Sequence, residues 1–461
     1  MESSLTNTPA TETKHKLPVR LKLLFSIGSL TTSMPQAIIV FFQLYFLTDI
    51  AGLRPDYASW AIAAGRLWDA INDPLFGVIS DRIKSRHGRR RVLLIYSAVP
   101  LGLTYALMWV VPHWGQAGLA IFYALVFILF DTCYTAMYVG YNALTPALTP
   151  DYDERSSVNG YRMAISIAGT LSAIIFATVL GWYVQDVRQL YTTLGIGLGA
   201  LSILPLVLVF YVTRDYRSEL EGQALPVWKS IVTTVRNRHF QIVMGLYLTS
   251  WTAVSIVAAV LVYYANYYMQ VPEQANYLVL TAQGSAIAFV PLVVWLSKRF
   301  DKRQAFIMGC ASWMLFLLLL FVLQPHQVGL VFACAAFSGL GIATAYVVPW
   351  AMIPDLIEDD ELTTGQRREG SFYALAAFFQ KFGTGAALWG MGQIFALTGY
   401  VNPVSGAPLP TQPEQAVLAI RWFASIVPAG LILLSILFAW NYSITRKAHE
   451  HMLERLADGA N

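Results

Sequence analysis

Apolar residues in this chain come in long runs, not at the three-to-four spacing of a surface helix or the alternation of a half-buried strand. A bilayer core about 30 Å thick takes roughly 20 apolar residues per helix. Twelve runs reach that length, approximately 23–47, 58–80, 92–111, 117–144, 159–182, 191–212, 242–268, 276–296, 304–323, 327–350, 371–397 and 415–440. The pattern predicts an all-α membrane protein of twelve spans. The first run is too long for a removable leader and lacks a small-residue cleavage site, so it reads as a permanent span. Residues 1–17 are polar and read as a disordered tail.

Composition supports the same solvent. Charged residues make up 13% of the 461, about half the roughly 25% of a soluble protein. Hydrophobic residues reach 56%, with mean hydropathy +0.53. The three cysteines, Cys133, Cys310 and Cys334, all lie inside apolar runs, which excludes a disulfide scaffold and offers no metal-ligand spacing. The net charge of +4 arises from short loop clusters and not from a basic face, which argues against a nucleic-acid partner. Those clusters set an orientation. Lys14, Lys16, Arg20 and Lys22, the stretch from Arg82 to Arg91, the central loop with Arg214 and Arg238, Lys298 to Arg303, and Arg446 to Arg455 fall on one side of the spans; Arg54 and Arg188 fall on the other. The positive-inside rule makes the first side cytoplasmic, with both termini there.

The longest internal polar stretch, 213–240, divides the spans into two halves of six, 18–212 and 241–445, followed by a tail, 446–461. Each half repeats an element. Ser80, Asp81, Arg82 and Gly88 to Arg91 after span two match Ser297 to Arg303 after span eight, 217 residues on. ALTPALTPDYDERS after span four matches AMIPDLIEDDELTT after span ten, 208 residues on, with Pro146 and Pro354 in register. Two matches at nearly one period argue for duplication. Twelve spans in two pseudo-symmetric halves are the organisation of the major facilitator fold, in which a midplane site between the halves opens alternately to either side. The repeated charged loops then either lock one side shut or only enforce topology.

The exceptions to the apolar runs carry the chemistry. An ionisable group at mid-bilayer costs roughly 2.5–3.5 kcal/mol even on the lenient insertion scale and needs a partner or a wet cavity. GRLWDAINDPLFG in span two puts Asp69 and Asp73 on one helical face, with Asn72 adjoining and Arg66 one turn before. Two such carboxylates must share a cation, a proton or a basic side chain. Span four presents Asp131, Thr135, Tyr138 and Asn142 on a second face. Asp69, Asn72, Asp73 and Thr135 make an oxygen cage suited to a hard alkali cation if the two spans face each other; the alternative is a structural network with Arg66 and Arg162. Lys381 in span eleven either holds an anionic group or completes the acid network. Tyr134, Tyr138 and Tyr141 are candidates to line a cavity. Arg162 sits near the start of span five, and Asp49 at the end of span one reads as a solvated cap.

Several of these stretches resemble a known family. RLWDAINDPLFG, CYTAMYVGYNALTP, PDLIEDDELTTGQRREG and FFQKFG resemble the glycoside, pentoside and hexuronide cation symporters, whose model member is the melibiose permease. The resemblance implies the major facilitator fold and coupling of an organic solute to Na⁺, H⁺ or Li⁺. It carries Asp69, Asn72, Asp73 and Thr135 onto the cation site, and Lys381 and Arg162 onto basic positions near substrate and gate. Thr32 and Ser33 replace a lysine and an aspartate that bind sugar there, and Tyr138 and Asn142 replace a sugar-binding aspartate and tryptophan. FFQLYFLTDIA, YNALTPALTPDYDERSSVNGYRMAISIAGTL, PWAMIPDLIEDD and FFQKFGTG are similar to the sodium-dependent lysophosphatidylcholine symporters, which also carry an acid at the place of Asp131. That likeness implies a lipid phosphate at Lys381 and an apolar slot for an acyl chain.

The expectation is a Na⁺-coupled symporter, with H⁺ as the alternative ion, in the plasma or bacterial inner membrane. It would act as a monomer without a cofactor. Substrate contacts are expected from Ser33, Arg66, Asp131, Tyr134, Tyr138, Asn142, Arg162 and Lys381. The solute is a sugar or glycoside by family, or a lysophospholipid-like amphiphile by residue match. An intramembrane aspartyl enzyme is disfavoured because Asp69 and Asp73 share one helix face beside Asn72, and a passive channel is disfavoured by the duplication.

Overall fold

The computed structural model describes residues 17–83, 85, 91–149, 151–214, 233–364, 368–404, 408–444 and 452, and among these it is helical without strands. In the first half run α1 (Val19–Ser26), α2 (Ser29–Tyr45), α3 (Pro55–Arg82), α4 (Arg91–Leu107), α5 (Gln116–Leu148), α6 (Tyr152–Tyr183) and α7 (Val187–Val212). The second half holds α8 (Arg238–Tyr263), α9 (Ala275–Phe300), α10 (Lys302–Val322), α11 (Val328–Thr364), α12 (Glu369–Leu397), α13 (Glu414–Ala424) and α14 (Ile426–Trp440). Helices begin where a short polar side chain precedes an apolar run: Asp151, Asp186 and Asn237 accept the backbone N–H of Glu154, Gln189 and Phe240, three residues on in each case. Among the described residues nine helical segments are long and apolar enough to cross a membrane. Helix α4, with 17 residues, is shorter. Helices α3 and α12 are long but less apolar, and they carry Asp69, Asp73 and Lys381.

The halves repeat one packing scheme. Helices α2–α6, α3–α5, α4–α5 and α4–α7 pair in the first half, and α8–α12, α9–α11, α10–α11 and α10–α14 pair in the second. Between the halves α2 packs on α8, α3 on α12 and α6 on α9. A two-fold exchange of the halves maps the first of these contacts onto itself and interchanges the other two.

The repeat reaches backbone detail. Helices α2 and α8 each run on into a five-residue π-helical turn, Phe46–Ile50 and Tyr264–Tyr268. Each turn closes with the same pair of bonds, Ala51 N–H to Phe46 O and Leu53 N–H to Leu47 O, against Met269 N–H to Tyr264 O and Val271 N–H to Ala265 O. Each then reverses through a left-handed residue, Gly52 at φ 72° and Gln270 at φ 56°. The two turns meet at the end of the molecule opposite the chain termini, where Asp49 accepts hydrogen bonds from Thr48 at 2.6 Å, from Tyr400 at 2.9 and 3.0 Å, and from Tyr267. Thr48 pairs with Tyr263 at 2.7 Å, Asn266 donates to Tyr45, and Asn402 donates to the carbonyls of Thr48 and Leu53. The solvated cap expected at Asp49 is therefore corrected. The side chain is 6% exposed, because the second half supplies three tyrosines and two asparagines to this joint. Gln393 of α12 adds bonds to Ser59 and to the carbonyl of Asp56.

The terminal end is tied within each half. Lys22 of α1 pairs with Glu154 of α6 at 2.8 Å, and Lys302 of α10 pairs with Asp355 of α11 at 2.6 Å. Asp360 holds Arg368 in a two-pronged pair. Gly88, Arg89 and Arg90, the side chains of Asp81 and Arg82, Pro146, the linker 215–232 and residues 1–16 lie outside the described residues. Among hydrogen bonds linking described residues, those that cross between the halves lie only at the opposite end and at Lys381.

Two outcomes follow. The Lys22 ammonium and the Leu17 N–H hold the Glu154 carboxyl below its usual range. Its contribution to joining α1 and α6 is then present above the ordinary carboxylate pKa and is lost as pH falls through the lowered folded value. Glu154→Gln should melt earlier than wild type at pH 7, and the gap should close in acid. At the opposite end, Tyr400→Phe removes the one hydroxyl donor shared between both Asp49 oxygens, a hydrogen bond to a carboxyl worth roughly 1.5–3 kcal/mol. Spin labels at His113 and Glu273 in a cysteine-free background should then show a longer distance between the halves, and Asp49→Ala should lengthen it further.

Candidate cation and substrate site

Helix geometry sets the first two members of the site. Asp69 and Asp73 lie one turn apart on the face of α3 that packs against both α5 and α12. From α5 comes Thr135, whose hydroxyl donates to Asp73 Oδ1 at 3.0 Å and lies 3.4 Å from Asp69 Oδ1. From α12, in the other half, comes Lys381, whose ammonium donates to Asp69 Oδ1 at 2.9 Å and to Asp73 Oδ2. Asp69, Asn72 and Thr135 are 4%, 0% and 1% exposed, whereas the side chains of Asp73 and Lys381 are 39% and 25% exposed. The cluster is sealed on the side of the first half and accessible at the ammonium and the second carboxylate.

Asn72 donates its Nδ2 to the Asp131 carbonyl at 3.2 Å, and its Oδ1 is buried without a donor among the described residues. Two carboxylates, a hydroxyl and an amide oxygen short of a partner form a donor set that a hard monovalent cation fits and a soft metal does not. Among the described residues no cluster of three or more His, Cys, Asp or Glu side chains suits a metal ion. The charges that act on Asp131 are those of Arg66, Asp69, Asp73 and Lys381. Three acids thus face two cations; with all three ionised the group is one positive charge short.

The remaining candidates separate. Arg66 and Asp131 line one small cavity inside the first half together with Gln36 and Gln43. Tyr134 and Tyr138 of α5 stack with ring centroids 6.0 Å apart, and Tyr138 is 47% exposed. Arg162 of α6 donates to Asn142 Oδ1 at 2.5 Å, to Thr145 Oγ1 at 2.9 Å and to Asn159 Oδ1 at 3.3 Å, and lies over the Tyr141 ring. Its hydrogen-bond partners among the described residues are therefore neutral. Ser33 bonds back to the Ser29 carbonyl at 3.0 Å and packs against Gly169 of α6, away from the acids. Sequence reasoning missed the role of Asp49 and its tyrosines. The available signal was the offset of 218 residues between Asp49 and Tyr267, the period already visible in the loops.

The profile of a family described as MFS/sugar transport protein matches residues 24–446. An uncharacterised symporter of Synechocystis is 32% identical over 96% of this chain and 97% of its own. The sodium-dependent lysophosphatidylcholine symporter 1 of Xenopus tropicalis is 28% identical over 96% of this chain and 91% of its own. Among solved structures, the nucleoside transporter NupG superposes with a TM-score of 0.67 at 12% identity, covering 90% of this chain and 99% of its own. The xylose transporter XylE from E. coli gives 0.63 at 13%, covering 93% and 98%. At such identities the structural likeness establishes the fold alone.

Lys381→Met would leave two carboxylates sharing one buried face. A fully buried pair that loses one partner costs about 3–5 kcal/mol, and the partial exposure of Lys381 and Asp73 reduces this to roughly 1–3 kcal/mol. Thermal unfolding in detergent should show that loss. Adding Asp73→Asn should restore part of it, since the pair is coupled and the two effects do not add.

Proposed function

The chain belongs to the MFS/sugar transport protein family, and from that premise we propose that it moves an amphiphile whose headgroup carries a phosphate across the membrane by Na⁺-coupled symport. As an integral membrane secondary transporter of the symporter type, it needs two linked sites. The observation that carries the reading is the Lys381 ammonium seated between Asp69 and Asp73.

The ammonium occupies the place that a coupling cation would take. Na⁺ arriving at Asp69, Asn72, Asp73 and Thr135 takes over the ammonium's positive charge and releases Lys381 from both carboxylates. The freed ammonium, on a helix of the opposite half, then turns to the headgroup of the solute. Without Na⁺ the lysine is engaged and the solute finds no partner there; without solute, freeing the lysine is uncompensated. Each ligand thereby raises the affinity of the other, as reciprocal linkage requires. H⁺ meets the same charge deficit and is the alternative ion.

Two features favour an amphiphile. Arg162 has a guanidinium with neutral hydrogen-bond partners among the described residues, which suits it to a phosphate. Of the polar side chains a sugar would need, Asn142 is engaged by Arg162 and Asp131 is buried inside the first half. The lysophosphatidylcholine symporter of Xenopus supports the same class of solute. A sugar or glycoside is the second reading, favoured by the stacked Tyr134 and Tyr138. The Lys and Arg distribution supports a cytoplasmic terminal end, which would put the Asp49 joint at the outer face.

Proteoliposome uptake tests the coupling. An inward Na⁺ gradient should drive accumulation of labelled lysophosphatidylcholine, and Asp69→Asn and Asp73→Asn should abolish it. Uptake indifferent to Na⁺ and H⁺ gradients would sink symport. In a thermal-shift panel, lysophosphatidylcholine should stabilise the protein more in Na⁺ than in choline; stabilisation by sugars alone would move the solute to the second reading.

A further inference from the structure

Three polar side chains of the first half, Arg66, Asp131 and Gln43, line one cavity beside the coupling site. Asp131 of α5 is 8% exposed, and no hydrogen bond or ion pair joins its carboxylate to another described residue. It lies close to the backbone of α3, where a Cβ built on Gly65 would stand 3.3 Å from Oδ2. Arg66 of α3 likewise makes no hydrogen bond or ion pair with a described residue. Gln43 of α2 is 7% exposed, and its Oε1 is buried without a donor. Arg66, Gln43 and Asp131, with Gln36, Met108 and Phe127, line one cavity with a volume of about 10 Å³. That is room for roughly one water molecule.

Donors and acceptors decide what fits. Arg66 offers N–H groups and no acceptor, an ionised Asp131 accepts only, and Gln43 Oε1 accepts. A molecule able to accept once and donate twice would satisfy all three. A sodium ion has no reason to sit beside the guanidinium, and an anion has none beside the carboxylate. We propose that this cavity is a binding site for a single water, which accepts from Arg66 and donates to Asp131 and to Gln43 Oε1.

The consequence lies in the charge of the third acid. The water supplies the donor that the Asp131 carboxylate lacks among the described residues and links it to Arg66. Asp131 then stays ionised without drawing on Lys381, which remains with Asp69 and Asp73. This consequence rests on the coupling reading above, because only an ionised Asp131 leaves the cluster short of one cation. The water site itself does not depend on Na⁺ or on the solute.

A map of the intact protein at a resolution that shows ordered waters should place a peak within hydrogen-bond distance of Arg66, Asp131 and Gln43 Oε1. No peak there would overturn the site. Infrared spectra at pH 7 provide a second measurement, insensitive to transport. The wild type should show no protonated-carboxyl band that disappears in Asp131→Asn. Gln43→Leu, which removes an acceptor and fills the cavity, should create such a band, and Gln43→Leu/Asp131→Asn should lose it. A band already present in the wild type and absent from Asp131→Asn would show that a proton serves the carboxylate instead, and the proposal would fail. Loss of Na⁺-driven uptake with the peak and spectra as expected would count against the coupling scheme alone.

Discussion

Among the described residues the ion pairs of Lys381 join the two halves within the spans, and much of the site follows from them. Lys381 reaches from α12 to both Asp69 and Asp73 on α3. In hydrocarbon none of the three charges is tolerable alone, and leaving the two carboxylates without the ammonium would put like charges one helical turn apart. Their mutual need fixes the register of α3 against α12. It also gathers Thr135, because the same carboxylate oxygens have room for a hydroxyl donor from α5. A pair of this kind holds the halves together and is exchangeable, since any monovalent cation of suitable size competes for the same oxygens.

The other joint between the halves is of a different kind. At Asp49 a carboxylate is met by hydroxyl donors, Thr48, Tyr267 and Tyr400, in a setting of stacked aromatic rings. Such bonds are directional and numerous, and they do not respond to an incoming cation as Lys381 does. In the proposed scheme the two joints divide the work: one would sense charge at the midplane, and the other would set whether the end opposite the termini is shut. Both π-helical turns end at this second joint, where a locally looser backbone gives each half the same point at which to bend.

Within the first half, the third acid explains why charge in the spans is not confined to one site. Asp131 feels Asp69, Asp73, Arg66 and Lys381 together, so the five groups behave as one electrostatic unit spread over α3, α5 and α12. Its carbonyl also orients the Asn72 amide through Nδ2, which leaves Oδ1 for the coupling site. Arg162 lies outside this unit, held by Asn142, Thr145 and Asn159, and that separation leaves it free for an anion from the solute.

The sequence by itself determined the solvent, the number of spans and the duplication, because apolar run length and loop charge are local quantities that the bilayer reads directly. It also singled out Asp69, Asn72, Asp73 and Lys381, since any charge inside an apolar run stands out against its neighbours. It left two roles open for Lys381, and only the packing of α12 on α3 brought the ammonium to the acids. Asp49 shows the limit most clearly. Its stretch looks like an ordinary helix end, and its burial depends on tyrosines 218 and 351 residues away. The grouping of Arg66, Asp131 and Gln43 around one cavity is likewise a fact of three helices meeting. Side-chain partnerships across such distances are set by how the halves pack, and the pattern of residues along one chain does not encode them locally.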